Sequence, residues 1–212
     1  MLRLEVPDRA EQLPGQHYVI RLTAPDGYVA QRSYSLASAP ADPQIELGVE
    51  LLTDGEVSGY LGEVVEVGDQ LEVRGPIGLW FVWRGDRRAV AIGGGSGVVP
   101  LVSMLRHAHD IGRTDLLHLA VSARRPEELL FHDELVADAK VVAFTRSAEP
   151  AAGRAVGRLS ADDLAPLVAA DTTYFVCGSA SFTEAMSQLL LSLGVAASDV
   201  RVERFGPSGA DS

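Results

Sequence analysis

The sequence holds one cysteine, Cys177, among 212 residues. A lone thiol closes no internal disulfide, which fits a reducing, cytoplasmic setting. It also excludes a cysteine-ligated iron–sulfur cluster within the chain, since such a cluster takes about four thiolates. No apolar run reaches the roughly 18 residues that a membrane span requires. The opening MLRLEVPDRAEQ meets charge at once and does not read as a signal peptide. Basic residues are few: 18 Lys+Arg stand against 29 Asp+Glu, a formal charge of -11, which argues against nucleic acid or an anionic membrane as partner. His17, His107, His109, His118 and His132 show no metal-ligand spacing with one another or with Cys177, so no metal site is expected. Aromatics make up only 6%, but 47% of the residues are hydrophobic, enough to bury a core and unlike a disordered chain.

What is present falls into two patterns. Up to residue 84 the chain reads as short strands, at 2–6, 17–23, 31–36, 45–51 and 70–75, separated by Gly, Pro and Asp turn signals. That spacing predicts a small antiparallel barrel. A short helix is expected at 58–61, with Ser58 as its cap. From residue 88 the pattern alternates: strands at 89–92, 116–122, 141–145, 173–177 and 200–204, helices at 98–109, 128–137, 160–169 and 180–193. Ser160 and Asp163 open the third of these helices with a capping-box spacing. Such alternation predicts an α/β layer, a five-stranded parallel sheet with helices on both faces. The expected domains are therefore 1–84 and 88–212, ending in a polar tail at 206–212.

Three motifs carry chemistry. Gly93-Gly94-Gly95-Ser96-Gly97 follows a strand and precedes a helix. Glycines let the backbone approach an anion, and the helix start offers free N–H groups. Val98 stands where the dinucleotide fingerprint G-x-G-x-x-G has its last glycine, and no Walker Lys follows. Cys177-Gly178 ends a strand, on the sheet edge where parallel sheets bind ligands. Taken alone, Cys177 reads better as a small buried core residue. Arg32-Ser33-Tyr34-Ser35 lies on a strand whose alternation puts Arg32 and Tyr34 on one face and Ser33 and Ser35 on the other. Alone it reads as an ordinary strand with an extended Arg.

Together, in this order, the motifs resemble the ferredoxin-NADP reductase superfamily. Arg32-Ser33-Tyr34-Ser35 matches its R-x-Y-S flavin signature, and residues 55–61, with Gly55, Val57 and Ser58, resemble its pyrophosphate-binding helix start. Gly75-Pro76-Ile77-Gly78 resembles its G-P-x-G turn, residues 93–100 its pyridine-nucleotide loop, and Val202-Glu203-Arg204-Phe205 its C-terminal stretch beside the flavin. The family carries one more barrel strand ahead of the segment resembling residues 2–7, which leaves open a barrel short of its first strand.

The resemblance implies a flavoprotein reductase. Hydride passes from NAD(P)H to bound FAD, and electrons pass on to a separate acceptor, a ferredoxin-like small redox protein or an oxygenase. It implies Arg32 and Ser33 at the flavin pyrophosphate, Tyr34 on the isoalloxazine and Ser35 near its N5. Gly55, Val57 and Ser58 take the pyrophosphate at a helix start; Gly95, Ser96 and Gly97 hold the nucleotide. Cys177 and Gly178 shape the nicotinamide site, Phe205 covers the flavin, and Glu203 relays a proton or stands as a surface carboxylate. Ser122 and Arg124, at the end of the second parallel strand, suit the 2′-phosphate of NADPH better than the bare ribose of NADH. Glu127 and Glu128 stand close by as weak competitors for the arginines. Three other classes remain open at this point: a stand-alone flavin or ferric reductase with a diffusible acceptor, a non-catalytic flavin-binding electron-transfer subunit, and a nucleotide-binding module without flavin.

Overall fold

The computed structural model describes residues 1–52, 54–147 and 154–205. The polar tail expected at 206–212 lies outside the described residues. The first half holds β1 (Leu2–Leu4), β2 (His17–Thr23), β3 (Val29–Ser35), β4 (Ile45–Leu47), α1 (Glu56–Glu63) and β5 (Glu72–Ile77). Strand β2 alternates as expected of a sheet with one dry face: Tyr18 and Ile20 are buried, and Arg21 points to solvent. A tight turn joins it to β3, where the Tyr28 N–H donates to Asp26 Oδ1 at 3.0 Å. Strands β3-β2-β5 form one antiparallel sheet and β1-β4 another. Leu36 bridges to Leu47 between them, but among the described residues the two sheets do not close into a ring. The expected barrel is thus an open one, filled by Tyr18, Ile20, Leu36, Ile45, Leu47 and the apolar face of α1, Val57 and Leu61.

The second half holds β6 (Ala89–Gly94), α2 (Val99–Asp110), β7 (Leu117–Ala123), β8 (Lys140–Phe144), α3 (Ala161–Leu164), β9 (Thr173–Ser179), α4 (Ala180–Ser192) and β10 (Val200–Phe205). The five strands are parallel in the order β10-β9-β6-β7-β8. Strand alternation splits the core in two. Ala91, Leu119, Phe175 and Cys177 pack toward α2, while Ile92, Ala120, Tyr174 and Val176 pack toward α4. The chain runs from β6 out to β8, then returns past β6 to β9. That reversal creates a crevice at the carboxyl ends of β6 and β9.

The helices depart from expectation in three places. Residues 128–137 form no helix; short 3-10 turns at Pro126–Glu128 and His132–Glu134 flank Phe131, whose φ of 56° is left-handed and stops helical propagation. The helix expected at 160–169 ends at Leu164 and tightens into a 3-10 turn, Ala165–Leu167, around Pro166. Its capping box is as expected, with the Ser160 side chain accepting from the Asp163 N–H. Ser58 is not the cap of α1. Gly55 takes that position, and Ser58 lies inside the first turn with its hydroxyl 3.3 Å from the Gly55 carbonyl.

The two halves share a core. Ala37, Phe81 and Trp83 join the cluster beneath α2, and Phe81 meets the Phe175 ring edge-on at 5.2 Å. Ser103 donates to the Ser38 carbonyl at 2.7 Å. Arg106 donates to Glu46 at 2.8 Å and to both oxygens of Glu134. These contacts fix the β3 end against the β6–β9 crevice.

Candidate functional site

The carboxyl end of β3 carries the motif expected to hold flavin. Arg32 is exposed, its guanidinium resting on the Gln31 carbonyl at 2.7 Å. Tyr34 is half-buried, and burial raises its phenol above the usual value against the opposing pull of Arg32. Ser35 is 2% exposed, yet its Oγ has no hydrogen-bond partner among the described residues. A buried hydroxyl without a partner is costly, on the order of 1–3 kcal/mol, unless something occupies the space it faces.

Ser35 lies in the wall of a cavity of ≈ 580 Å³. Arg32, Ser33, Tyr34 and Ser35 form one wall; Gly55, Val57 and Ser58 of the α1 start form another; Ser96, Val99 and Phe205 close it from the parallel sheet. Nine of the expected site residues thus line one cleft, with Ser96 and Phe205 the two from the second half. Glu50, unforeseen in the sequence, also lines it and accepts from the Ser96 hydroxyl at 2.6 Å, tying the glycine turn to the segment after β4.

The glycine turn and the Cys177–Gly178 strand end touch. A Cβ on Gly97 would stand 2.2 Å from the Cys177 carbonyl oxygen, so only glycine allows this approach. Gly95 takes a left-handed φ of 57°. Neither Gly95, Gly97 nor Gly178 lines the cavity. Cys177 is fully buried in the core beneath α2, and burial raises its thiol well above its ordinary value, with Glu203 adding to the effect. A thiol held protonated is a packing and shaping group rather than a nucleophile.

Glu203 and Phe205 lie on β10. Phe205 borders the first cavity and a second one of ≈ 410 Å³, where Glu203 sits. Burial lifts the Glu203 carboxyl to about 7. His17 Nδ1 stands 3.7 Å from Glu203 Oε1, a pairing that sequence spacing does not reveal. Ser122 is buried at the end of β7, with Arg124 exposed just beyond it, apart from both cavities. Among the described residues no cluster of His, Cys, Asp and Glu could hold a metal ion, and no helix is long and apolar enough to cross a membrane.

Known proteins share this arrangement. Residues 1–82 match the family model described as "Oxidoreductase FAD-binding domain". The glycine betaine monooxygenase reductase subunit of Chromohalobacter salexigens is 34% identical over 213 residues, covering 93% of this chain and 57% of that protein. The ferredoxin–NAD(P)(+) reductase component of the naphthalene 1,2-dioxygenase/salicylate 5-hydroxylase systems of a Ralstonia species is 29% identical, covering 98% of this chain and 65% of that one. The chain therefore spans 57% and 65% of the lengths of these two curated relatives. The flavohem-like FAD/NAD-binding domain of nitric oxide dioxygenase from Vibrio cholerae superposes with a TM-score of 0.79 at 26% identity, covering 93% of this chain and 87% of that one. An open antiparallel half that matches an oxidoreductase FAD-binding domain, and a parallel half set against it across a cleft, give the chain the two-part fold of ferredoxin-NADP reductase-like proteins.

Proposed function

We propose that this chain is the electron-input module of an NAD(P)H-dependent flavoprotein reductase. Residues 1–84 bind FAD and residues 88–212 bind the nicotinamide nucleotide. The observation that carries this reading is the cavity lined by Arg32, Tyr34 and Ser35, the last with a buried, unpartnered hydroxyl. A flat heteroaromatic ring with nitrogen acceptors and a pyrophosphate tail fits that donor set: a hydroxyl, an aromatic face, a guanidinium and a helix start. When bound, FAD takes a hydride from reduced nicotinamide and gives up electrons singly.

The residues divide the work by position. The Arg32 guanidinium and the first-turn N–H groups of α1, at Val57 and Ser58, hold the pyrophosphate, with Ser33 beside them. Gly55, which lacks a side chain, opens the helix start. With FAD bound, the Tyr34 ring would support the isoalloxazine, and the Ser35 hydroxyl would supply a hydrogen-bond donor to it. Phe205, which borders both cavities, would help to exclude water from the bound ring. Gly95, Ser96 and Gly97 receive the pyrophosphate of NAD(P)H. Cys177 and Gly178 shape the nicotinamide seat, and Ser122 and Arg124 favour the 2′-phosphate of NADPH. Glu203 stands ready to exchange a proton at the cleft. The relatives named as monooxygenase and dioxygenase reductase components support a separate acceptor, a small redox protein or an oxygenase.

Equilibrium titration with FAD, followed by flavin fluorescence, tests this. The chain binds FAD, and Arg32→Ala weakens binding about tenfold by loss of a charge-assisted contact. Equal affinity in the variant contradicts the assigned seat.

A further inference from the structure

A further cavity, of ≈ 270 Å³, lies away from the cleft and shares no lining residue with the two cavities described above. Thr173, in its lining, pairs with Ala89 where β9 and β6 begin, so the cavity sits at the end of the sheet opposite the glycine turn. Arg84, Arg87 and Arg201 line it beside a single carboxylate, Asp86. Arg201 is held in place. Its Nη1 donates to the Trp80 and Val82 carbonyls at 3.2 and 3.1 Å, and its guanidinium stands 5.5 Å from the ring centroids of both Trp80 and Phe175. Among the described residues, Arg201 Nε and Nη2 make no hydrogen bond. The side chains of Arg84 and Arg87 make neither hydrogen bond nor ion pair, and Asp86 pairs with none of the three. Three guanidiniums with unused donors therefore line one small space.

We infer that this cavity is a binding site for a small multivalent oxyanion, one that carries phosphate or carboxylate groups. A guanidinium fork matches the paired oxygens of either group, and the resulting charge-assisted hydrogen bonds are the stronger kind. Two carbonyls and two rings already fix Arg201, so little rotamer freedom is lost when it binds. Arg84 and Arg87 are exposed and free to close on the ligand. The inference is independent of the flavin reading, because no residue of this cavity belongs to the cleft.

The surrounding charge makes this cluster specific. The chain carries a formal charge of -11 and repels anions as a whole, so three unpaired guanidiniums around one cavity run against its field. The cavity beside Ser35 has the opposite balance, with Glu50, Asp54 and Glu56 facing a single Arg32. Trp83 Nε1 donates to the Arg87 carbonyl at 2.9 Å, which fixes the 84–87 turn to a buried indole. An anion held between Arg84, Arg87 and Arg201 ties that turn, the junction of the two halves, to β10, which carries Glu203 and Phe205.

Intrinsic fluorescence reads this site directly, because of the chain's two tryptophans Trp83 lines the cavity and Trp80 stacks on Arg201. The full chain, without flavin and again with FAD, is titrated with pyrophosphate and separately with citrate at constant ionic strength. At least one of the two changes the emission saturably, with half-saturation at about 1 mM, and FAD leaves that value unchanged. The tighter of the two identifies the ligand as phosphate-bearing or carboxylate-bearing. In the double variant Arg84→Gln, Arg87→Gln half-saturation rises about tenfold or more. Both side chains are exposed and unpaired, so the fold does not depend on them. Arg201→Lys, which keeps the charge and loses the fork, weakens binding in the same direction. Silence with both probes, a half-saturation that the arginine variants leave unmoved, or a signal that FAD abolishes overturns the site. A chain that takes up no FAD refutes the flavin reading alone, and the titration without flavin still decides the anion site.

Discussion

Gly97 and Cys177 meet backbone to backbone: a Cβ at Gly97 would lie 2.2 Å from the Cys177 carbonyl oxygen and 2.7 Å from the Gly178 Cα. The glycine turn and the Cys-Gly strand end are therefore one structure built from two distant motifs. Strand β9 is central and hydrogen-bonded on both sides, so it cannot yield cheaply. Gly97→Ala is expected to destabilise the fold by about 1–3 kcal/mol through overpacking. Gly95→Ala meets no atom within 4 Å and costs only the left-handed backbone, about 1 kcal/mol. Urea unfolding of the two variants checks the order; a milder Gly97→Ala would contradict the contact.

We propose that Arg124 sets nucleotide preference. It is exposed at the carboxyl end of β7, beyond the buried Ser122, on the same sheet edge as the glycine turn. An arginine fork there favours a phosphate over a hydroxyl. The expected outcome is higher kcat/KM for NADPH than for NADH, with Arg124→Ala raising KM for NADPH about tenfold and leaving KM for NADH nearly unchanged. Equal use of both nucleotides by the parent chain contradicts it.

Asp163 ties α3 to the segment before it. Arg154 grips its two oxygens at 2.8 and 2.7 Å, and the Ser160 N–H donates to it at 2.7 Å. The Arg154 hydrogen bonds are the largest favourable influence and hold the carboxyl at about 2, below the model-compound value of 3.8. A lowered folded-state value means that stability is present above the unfolded value and lost as pH falls through the folded one. Asp163→Asn should therefore cost about 1–2 kcal/mol at neutral pH, and the difference should shrink between about pH 4 and pH 2. A difference independent of pH would show that the ion pair contributes nothing.

Much of this was legible in the residues because the relevant physics is local. Alternation in 17–23 and the dry run at 89–92 mark strands β2 and β6, whereas the strand order β10-β9-β6-β7-β8 has no local signal. What was not legible depended on tertiary contact. Phe131 turns left-handed although it is not glycine; it packs under α2 with the Arg106 guanidinium 5.6 Å from its ring, and no local signal announces that. Pro166, by contrast, was a readable signal that the helix after Ser160 must tighten. Ser58 resembled a cap, but Gly55 took the position and left the hydroxyl to bond backward. Within the cleft, the Arg32–Tyr34–Ser35 cluster was visible as a motif. His17 and Glu50 were not, because each gains its meaning from a partner on another strand or loop, Glu203 and Ser96.

The central claim is that one cleft brings reduced nicotinamide to a flavin held by residues 32–35. Anaerobic visible spectroscopy of the FAD-loaded chain, recorded before and after one equivalent of NADPH, tests it most directly. The account predicts a flavin spectrum at one FAD per chain that bleaches on addition of NADPH and returns when a one-electron acceptor is supplied. A chain that takes up no FAD, or a bound flavin whose spectrum NADPH and NADH both leave unchanged, would contradict it.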